Sequence, residues 1–363
     1  MKKRVFHITG CLIGGGAETQ MRTLCQKQLS RGYKISILYL YKHPFTEEIR
    51  NELSALGATI INFDLFSTKN LKIFFTSIRR SEIIHAHLVH TEFWALLLSI
   101  IFQKKLILTR YLPYISRQRR KILSYFSLKK ADAVICISET VKEHLKASFP
   151  KEQDKYHRIY LGLDREDLYQ KLSHVNIRKH HGIDNKLIAV IPARLVPQKG
   201  IKYLLQAIMQ KQCELKKWIF LFIGDGPQRR SFESFINTHN LADQIKILGF
   251  KENVYDYISQ SDVVILPSSF EGFGLVLLEA MCFKKPIITT AYPAILEVVD
   301  DAALMFIPNN PDTLRRSLHQ LEPPTGRLNF GEKSFYRARF FTADKMFHET
   351  EQLYAKILRR PYD

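Results

Sequence analysis

At 363 residues, with 46% apolar and 25% charged side chains, the chain has a globular composition and is long enough for two domains with separate cores. Five scattered cysteines (Cys11, Cys25, Cys136, Cys213 and Cys282), odd in number and never spaced C-x-x-C, argue for a reducing compartment and against a disulfide framework or structural zinc. The formal charge of +19 lies mostly at the front, where residues 1–150 hold 24 Lys/Arg against 10 Asp/Glu; nothing in this composition is disordered or fibrous.

Met1-Lys2-Lys3-Arg4 runs straight into an apolar strand without a small-residue cleavage site, so no signal peptide is expected. Apolar runs predict strands at Val5–Thr9, Lys34–Leu40, Thr59–Phe63, Ile83–His85, Leu106–Thr109, Ala133–Ile137 and, last and shortest, Arg158–Leu161. Segments of helical period lie between them, as at Met21, Leu24, Cys25 and Leu29. The loop Gly14-Gly15-Gly16-Ala17-Glu18 joins the first strand to the first helix. Its glycines allow close backbone approach to a ligand at the strand's carboxyl end; the plainer alternative is a tight turn. His85-Ala86-His87-Leu88-Val89-His90 closes another strand. No carboxylate or cysteine cluster accompanies these histidines, so a metal site is not expected; His87, nearest the strand end, is the candidate to meet a sugar or acceptor hydroxyl, with plain packing as the alternative.

The apolar residues on either side of Ser99 fall short of a bilayer span. From Phe102 to Lys130 there are nine Lys/Arg and no acid, interleaved with Tyr111, Tyr114, Ile122, Tyr125 and Phe126. A stretch of that kind fits an anionic membrane surface, with Arg117, Arg119, Arg120 and Lys121 as its central cations; a solvated face and nucleic acid are the other readings.

The polar stretch Asp164–Asn185 reads as a linker, after which the pattern restarts. Strands are predicted at Leu187–Pro192, Trp218–Ile223, Ile245–Leu248, Val263–Leu266, Ile287–Thr290 and Leu304–Ile307. Helices are predicted near Tyr203–Met209, Arg230–Ile236, Leu275–Cys282 and Thr313–Leu321, with a long final helix over Ala343–Arg359. Two Rossmann-like domains facing one another across a cleft are the expected α/β architecture.

Arg194 and Lys199 follow the first strand of this second half. A guanidinium and an ammonium there suit a leaving diphosphate, one by paired hydrogen bonds and the other as a point charge. Gly224-Asp225-Gly226-Pro227 ends the next strand and opens a helix. The most informative string is Ser269-Phe270-Glu271-Gly272-Phe273-Gly274-Leu275-Val276-Leu277-Leu278-Glu279. A buried strand precedes it, a Gly-Phe-Gly turn leads into a helix near Gly274, and bare amides at that helix start can meet an anion. Glu271 stays on the loop and Glu279 lies more than a turn into the helix, so the two acids reach different parts of one ligand. A phosphate between two hydroxyl-rich groups, a nucleotide sugar, fits this arrangement. Neither glycine cluster completes G-x-G-x-x-G, since Thr19 and Arg229 stand at the third position, which disfavours a dinucleotide oxidoreductase. No D-x-D pair is present, so the usual metal–diphosphate clamp of single-domain sugar transferases is missing.

With these pieces in order, the chain resembles the retaining GT-B glycosyltransferases that carry the E-x7-E motif, the family 4-like or "glycosyl transferases group 1" type. The resemblance runs through GGAE, IIHAH, AVICIS, IYLGLD, ARLVPQKG, IGDGP, KILGF and EGFGLVLLEAM. It implies an acceptor domain over 1–165, a donor domain over 166–342 and a helix over 343–363 returning toward the first. It also implies that Glu279 bonds the donor ribose and Glu271 the transferred sugar, while Phe273, Gly274 and Leu275 offer amides to the sugar and distal phosphate. Arg194 and Lys199 would grip the diphosphate, with Gly15, Gly16 and Gly226 close to it, and Lys251 would meet the base through its backbone. His87 would lie beside sugar and acceptor.

Transfer with retention, without an essential metal or other cofactor, by front-face attack within a short-lived ion pair is implied as well. Leu161, Pro293-Ala294 and Thr109-Arg110-Tyr111 depart from the family's usual Asn, Gly-Gly and His; the first bears only on a turn, the others on helix packing and the acceptor side, so acceptor identity does not carry over. The expectation is a cytoplasmic transferase peripheral on the inner membrane face. It would move a sugar from a UDP- or GDP-linked donor to a lipopolysaccharide, capsule or glycolipid acceptor, with no nucleic acid partner. The alternatives are a nucleotide-sugar epimerase of the same fold and a catalytically lapsed nucleotide-sugar-binding protein.

Overall fold

Short runs of aliphatic residues, buried on both faces, form two parallel sheets, and the amphipathic segments between them form the covering helices. The computed structural model describes residues 3–12, 15–41, 46–62, 68–113 and 118–359. Gly14, Arg117 and the side chains of Arg119, Arg120 and Lys121 lie outside what is described, and with them the centre of the expected basic stretch. The chain divides into two compact units, Met1–Leu163 together with Thr342–Asp363, and Asp164–Phe341.

The first unit runs β1 (Arg4–Thr9), α1 (Gly16–Ser30), β2 (Lys34–Tyr39), α2 (Thr46–Ala55), β3 (Thr59–Asn62), α3 (Thr68–Arg80) and β4 (Ile83–His87). It continues with α4 (Glu92–Ile101), β5 (Lys105–Arg110), α5 (Gln118–Lys130), β6 (Ala133–Cys136), α6 (Glu139–Ser148) and β7 (Tyr156–Arg158). Sheet order is β3-β2-β1-β4-β5-β6-β7, all parallel, so the chain leaves β1 in one direction and restarts beside it at β4 in the other. The last strand differs from the expected Arg158–Leu161. Tyr156–Arg158 pair with Val134–Cys136, whereas the segment after them is used elsewhere: the Gly162 amide donates to Gln20 Oε1 at 3.2 Å and Leu163 bridges Thr342.

The second unit opens with two short helices, α7 (Arg165–Gln170) and α8 (Ile177–His181), where a linker was expected. Few apolar residues are enough to anchor them: Leu168, Ile177 and Ile183 are buried, and Asp164 and Asn176 cap the two helices. There follow β8 (Leu187–Pro192), α9 (Ile201–Gln210), β9 (Trp218–Ile223), α10 (Arg229–Thr238), β10 (Ile245–Gly249), α11 (Val254–Gln260) and β11 (Val263–Leu266). The unit ends with α12 (Leu275–Cys282), β12 (Ile287–Thr289), α13 (Pro293–Val299), β13 (Leu304–Met305), α14 (Pro311–Leu321) and α15 (Pro324–Ala338). Strand order is β10-β9-β8-β11-β12-β13. Alternation along β8 splits the core, with Ala189 and Ile191 on the larger apolar cluster and Ile188 and Val190 on the smaller one across the sheet.

A last helix, α16 (Ala343–Leu358), belongs to the first unit. Its Glu351 takes Lys3 Nζ and Tyr33 Oη, each at 2.8 Å.

Candidate active site

Open parallel sheets bind ligands beyond the strand carboxyl ends, where the strand order reverses. In the second unit that point lies between β8 and β11, the strands that precede Ala193–Gly200 and Pro267–Gly274. Glycines let the two loops close on each other. Gly200 has φ +65°, and a Cβ there would stand 1.9 Å from the Pro267 carbonyl oxygen; Ser269 N–H donates to the Gln198 carbonyl at 3.0 Å. The loop after β9 is tied to the same place, since Leu195 N–H donates to the Asp225 carbonyl at 3.0 Å and Gln228 N–H to the Leu195 carbonyl at 3.1 Å. Gly226 leaves no room for a side chain, because its Cβ would lie 2.5 Å from that Leu195 oxygen. The following helix starts at Arg229, not at Pro227, because Asp225 turns back to accept from the Gly226 amide at 2.7 Å and from Arg229 at 2.8 Å.

Lys199 and Glu271 meet at this junction. Lys199 Nζ lies 2.5 Å from Glu271 Oε1, and Ser268 Oγ donates to the same oxygen at 2.9 Å. The sequence assigned the cation to a diphosphate and the acid to a sugar; the structure joins them in one polar cluster and adds Ser268. Arg194, on the loop after β8, is exposed; its carbonyl accepts from Val196 N–H at 2.9 Å, and its guanidinium makes no hydrogen bond or ion pair with a described residue. Gly274 caps α12 at φ +84°, and the Gly274 carbonyl accepts from Leu277 N–H at 2.8 Å. The amides that open such a helix have no intrahelical acceptor and form a partial positive pole at Leu275. Phe273, buried, packs its ring edge-on against Phe341 and so fixes the turn from beneath.

Glu279 is buried on α12, with Tyr255 Oη donating to it at 3.4 Å; burial pushes its carboxyl up to about 7, against the pull of Tyr255 and Lys171. Lys251 follows β10, beyond Gly249, whose carbonyl takes the Gly224 amide at 2.8 Å. The donor-side candidates thus line the carboxyl ends of four neighbouring strands, β10, β9, β8 and β11.

In the first unit the corresponding reversal lies between β1 and β4. Gly15 caps α1 with extended backbone and Gly16 is its first residue, and neither has left-handed φ. His87, the candidate for the sugar and acceptor side, is buried at the end of β4. It is 2% exposed, and both ring nitrogens are engaged, Nε2 with His7 Nδ1 at 3.0 Å and Nδ1 with Tyr111 Oη at 3.1 Å. His7 Nε2 bonds Gln28 Oε1 at 2.9 Å, and Gln28 Nε2 donates to Tyr354 Oη at 3.5 Å. His85 bonds that same hydroxyl through Nδ1 at 2.6 Å and Thr109 Oγ1 through Nε2 at 2.7 Å.

The Gln28 carbonyl oxygen accepts only, which puts the proton of His7 on Nε2 and in turn that of His87 on Nε2; for His85, between two hydroxyls, the same order is the one that continues the chain. Protons point from Tyr111 to His87, His7 and Gln28, then from Gln28 through Tyr354 and His85 to Thr109. His7, His85 and His87 hold ligand atoms within 4.8 Å of one another, but all six ring nitrogens already have partners, so a cation would have to displace those bonds. Two of the three residues at the end of β5 where the resemblance expects a His, Thr109 and Tyr111, are the ends of this network. The third, Arg110, is buried with its Nη2 2.9 Å from Glu92 Oε1.

The histidine that the sequence passed over is His90. It is exposed, and its Nε2 would lie 2.0 Å from a Cβ at Gly10, so the loops after β1 and β4 touch through it. Leu88, between the two histidines, has φ +74° and ψ 143°, strained backbone of the kind found at functional sites. A glycine just after a first strand was the only signal available for that contact.

Comparison with known proteins agrees with the geometry. The family described as "Glycosyl transferases group 1" matches residues 174–328, and "Glycosyltransferase Family 4" matches residues 14–167. Alpha-D-kanosaminyltransferase of Streptomyces kanamyceticus is 26% identical over 179 residues, 48% of this chain and 46% of the relative. The O-antigen biosynthesis glycosyltransferase WclY of Escherichia coli is 29% identical over 204 residues, 55% and 56% of the two chains. The chain spans about half the length of these curated relatives. The crystal structure of Anabaena HepE in complex with UDP-glucose superposes with a TM-score of 0.82 at 17% identity, covering 97% of this chain and 99% of HepE, a likeness of fold. Two parallel α/β units, paired family matches that tile most of the chain and the E-x7-E segment at a sheet reversal agree: the chain belongs to the group 1, family 4 glycosyltransferases and has the GT-B fold.

Proposed function

We propose that the chain transfers a sugar, with retention and without a metal or other cofactor, from a UDP- or GDP-linked donor to a lipid-linked or cell-surface polysaccharide acceptor of the lipopolysaccharide or capsule type. It would act as a peripheral protein on the cytoplasmic membrane face. The observation that carries this reading is the Lys199–Glu271–Ser268 cluster beside the Gly274-capped start of α12, at the β8/β11 reversal. The donor's diphosphate lies over the Leu275 amide pole, with Arg194 and Lys199 on its oxygens. Glu271 and the Phe273–Leu275 amides meet the sugar, Glu279 the ribose, and Lys251 and Gly226 the nucleotide side. The C1–O bond to phosphate breaks and its electron pair leaves with the diphosphate, which gains one negative charge. The acceptor oxygen bonds C1 on the same face and passes its proton to the departing phosphate oxygen. Arg194, Lys199 and the helix pole act where that charge appears. Gly15 and Gly16 serve the donor diphosphate, and the loop that carries His87 serves the sugar and acceptor side.

Support comes from HepE, a protein of this fold seen with UDP-glucose, and from WclY, named for O-antigen biosynthesis. Among the described residues no helix is long and apolar enough to cross a membrane. The test is a thermal-shift panel of nucleotides and nucleotide sugars, followed by acceptor-dependent release of nucleoside diphosphate with and without EDTA. One donor class should raise Tm, and Arg194→Ala or Glu279→Ala should abolish that shift and lower kcat/KM by about 10²–10³-fold, the scale for removing one charge-stabilising group. Wild-type turnover in both variants overturns the site, loss of turnover in EDTA overturns metal independence, and an inverted anomeric centre in the product overturns retention.

A further inference from the structure

Helices α4 and α5 bury Leu98 and Leu128 but also turn bulky apolar side chains outward. On α4 the residues facing the protein are Glu92, Ala95, Leu98 and Ser99, and two of these four are polar. Ala95, Ser99 and, from α5, Ser124 and Ser127 are fully buried, and Ser124 Oγ donates to Glu92 at 3.4 Å, so small and polar side chains let the pair pack closely. The outward positions carry the bulk. Phe93, Leu97, Ile100 and Ile101 recur at i, i+4, i+7 and i+8 on α4, and Ile122 and Phe126 at i, i+4 on α5. Ile101, Ile122 and Phe126 are 59%, 61% and 54% exposed. An ordinary surface helix keeps its bulky apolar side chains inward, and contiguous apolar surface of this kind marks an interaction face.

Charge selects the occupant. In a parallel sheet the covering helices run opposite to the strands, so their carboxyl ends collect along one sheet edge. That edge carries Arg79 and Arg80 at the end of α3, Lys104 and Lys105 after α4, and Lys129 and Lys130 at the end of α5. Lys104 Nζ donates to the Arg79 carbonyl at 2.8 Å, and Lys155 Nζ to the Lys129 carbonyl at 2.7 Å, which ties the band together. Of the acids beside it, Asp132 pairs with Lys105 and Glu152 with Lys155. A second copy docked here about a two-fold axis would set cations against cations. A leaflet of anionic lipid accepts both features, headgroups on the cationic band and apolar side chains at the acyl boundary.

We propose that the outward faces of α4 and α5, with the cationic band at their carboxyl ends, dock the first unit on an anionic bilayer. This deepens the peripheral-membrane part of the reading above and does not depend on glycosyl transfer. The test uses the full chain and vesicles of phosphatidylcholine with or without about one-third phosphatidylglycerol. Sedimentation should require the anionic lipid and weaken with salt. The double substitution Ile101→Glu with Phe126→Glu should lower vesicle affinity at least about tenfold, with circular dichroism and any donor-induced Tm shift unchanged. Trp94 lies on α4, whereas Trp218 is fully buried in the second unit, so brominated lipid should quench Trp94 emission on vesicle addition. Equal binding to both vesicle types, unchanged binding by the double variant or an unquenched Trp94 overturns the proposal. So does a solution dimer that the double variant dissociates, which would assign the face to a second copy.

Discussion

Glu279 sits in surroundings that favour its neutral form, since burial lifts its carboxyl to about 7 and the Tyr255 hydroxyl is a long 3.4 Å away. The sign follows from linkage. A carboxyl raised in the folded state contributes stability that is full below its ordinary value near 4.5 and is lost as pH rises toward 7. Glu279→Gln mimics the protonated form, so it should stabilise the ligand-free protein by roughly 2–3 kcal/mol at pH 8 and by nothing below pH 4.5, measured by urea unfolding at both pH values. The same variant should lose most of its donor-induced Tm shift, the usual opposition between stability and function at a binding residue. Equal stability of variant and wild type at pH 8 would show that the charge is not strained. The two histidines around Leu88 divide the other way. His87→Ala strands the His7 nitrogen and the Tyr111 hydroxyl in the interior and should cost about 2–4 kcal/mol. His90→Ala, at an exposed ring, should change stability by about 0.5 kcal/mol or less while lowering turnover. Unfolding curves and initial rates on the pair separate packing from function.

At the scale of elements, the loop after β8 depends on Gly200. Alanine there meets the Pro267 carbonyl oxygen at 1.9 Å in addition to left-handed backbone. Gly182 is a built-in control, since it has φ +62° and nothing within 4 Å of a Cβ. Gly182→Ala should cost about 1 kcal/mol. Gly200→Ala should cost at least about 2–3 kcal/mol and, by prising the Lys199 loop from Ser268 and Glu271, remove activity that Gly182→Ala retains. Equal Tm losses in the two variants would mean that the β8 and β11 loops do not rely on this contact. The donor loops were legible because their function is written in backbone-permissive and charged residues at fixed positions after apolar strands. Leu275–Cys282 was readable to the residue for the same reason.

Helix α15 was not readable. Gly326, Gly331 and Ser334 lower its helical propensity, yet Gly331 is needed because a Cβ would stand 2.4 Å from the Lys284 carbonyl oxygen, and Ser334 Oγ donates to the Lys285 carbonyl at 2.9 Å. Tertiary packing there overrides propensity. The histidine network was hidden for a related reason, because His7, Gln28 and Tyr354 come from β1, α1 and α16 and only the fold brings them to His85 and His87. The bulky outer faces of α4 and α5 were equally hidden, since an apolar residue in a helix gives no sign of which side it faces.

Taken over the whole molecule, titration should distinguish the first unit from the second. Burial holds His7 down at about 4 and pushes His85 and His87 well below the ordinary 6.5, helped by the neighbouring rings. The proton order of the network gives the structural reason. His7 donates through Nε2 and accepts through Nδ1 from His87, so a second proton on His7 sets donor against donor, and the three close rings oppose charge on one another. The unfolded chain therefore binds more protons than the folded one between pH 6.5 and 4. Stability from this cluster is fully present above pH 6.5 and is lost as pH falls; His7 alone accounts for about 3 kcal/mol over that interval. Glu279, in the second unit, has the opposite slope and its window closes near pH 7. The expected behaviour is acid-sensitive hydrogen exchange in β1, β4 and β5, with β8 and β11 protected at least as well at pH 5 as at pH 8. His7→Asn keeps a buried polar group but removes one titrating ring, so it should flatten the fall in stability between pH 6.5 and 4 by close to one proton's worth. An unchanged slope in that variant, or equal acid sensitivity in both sheets, would mean that the buried histidines are not what acid attacks.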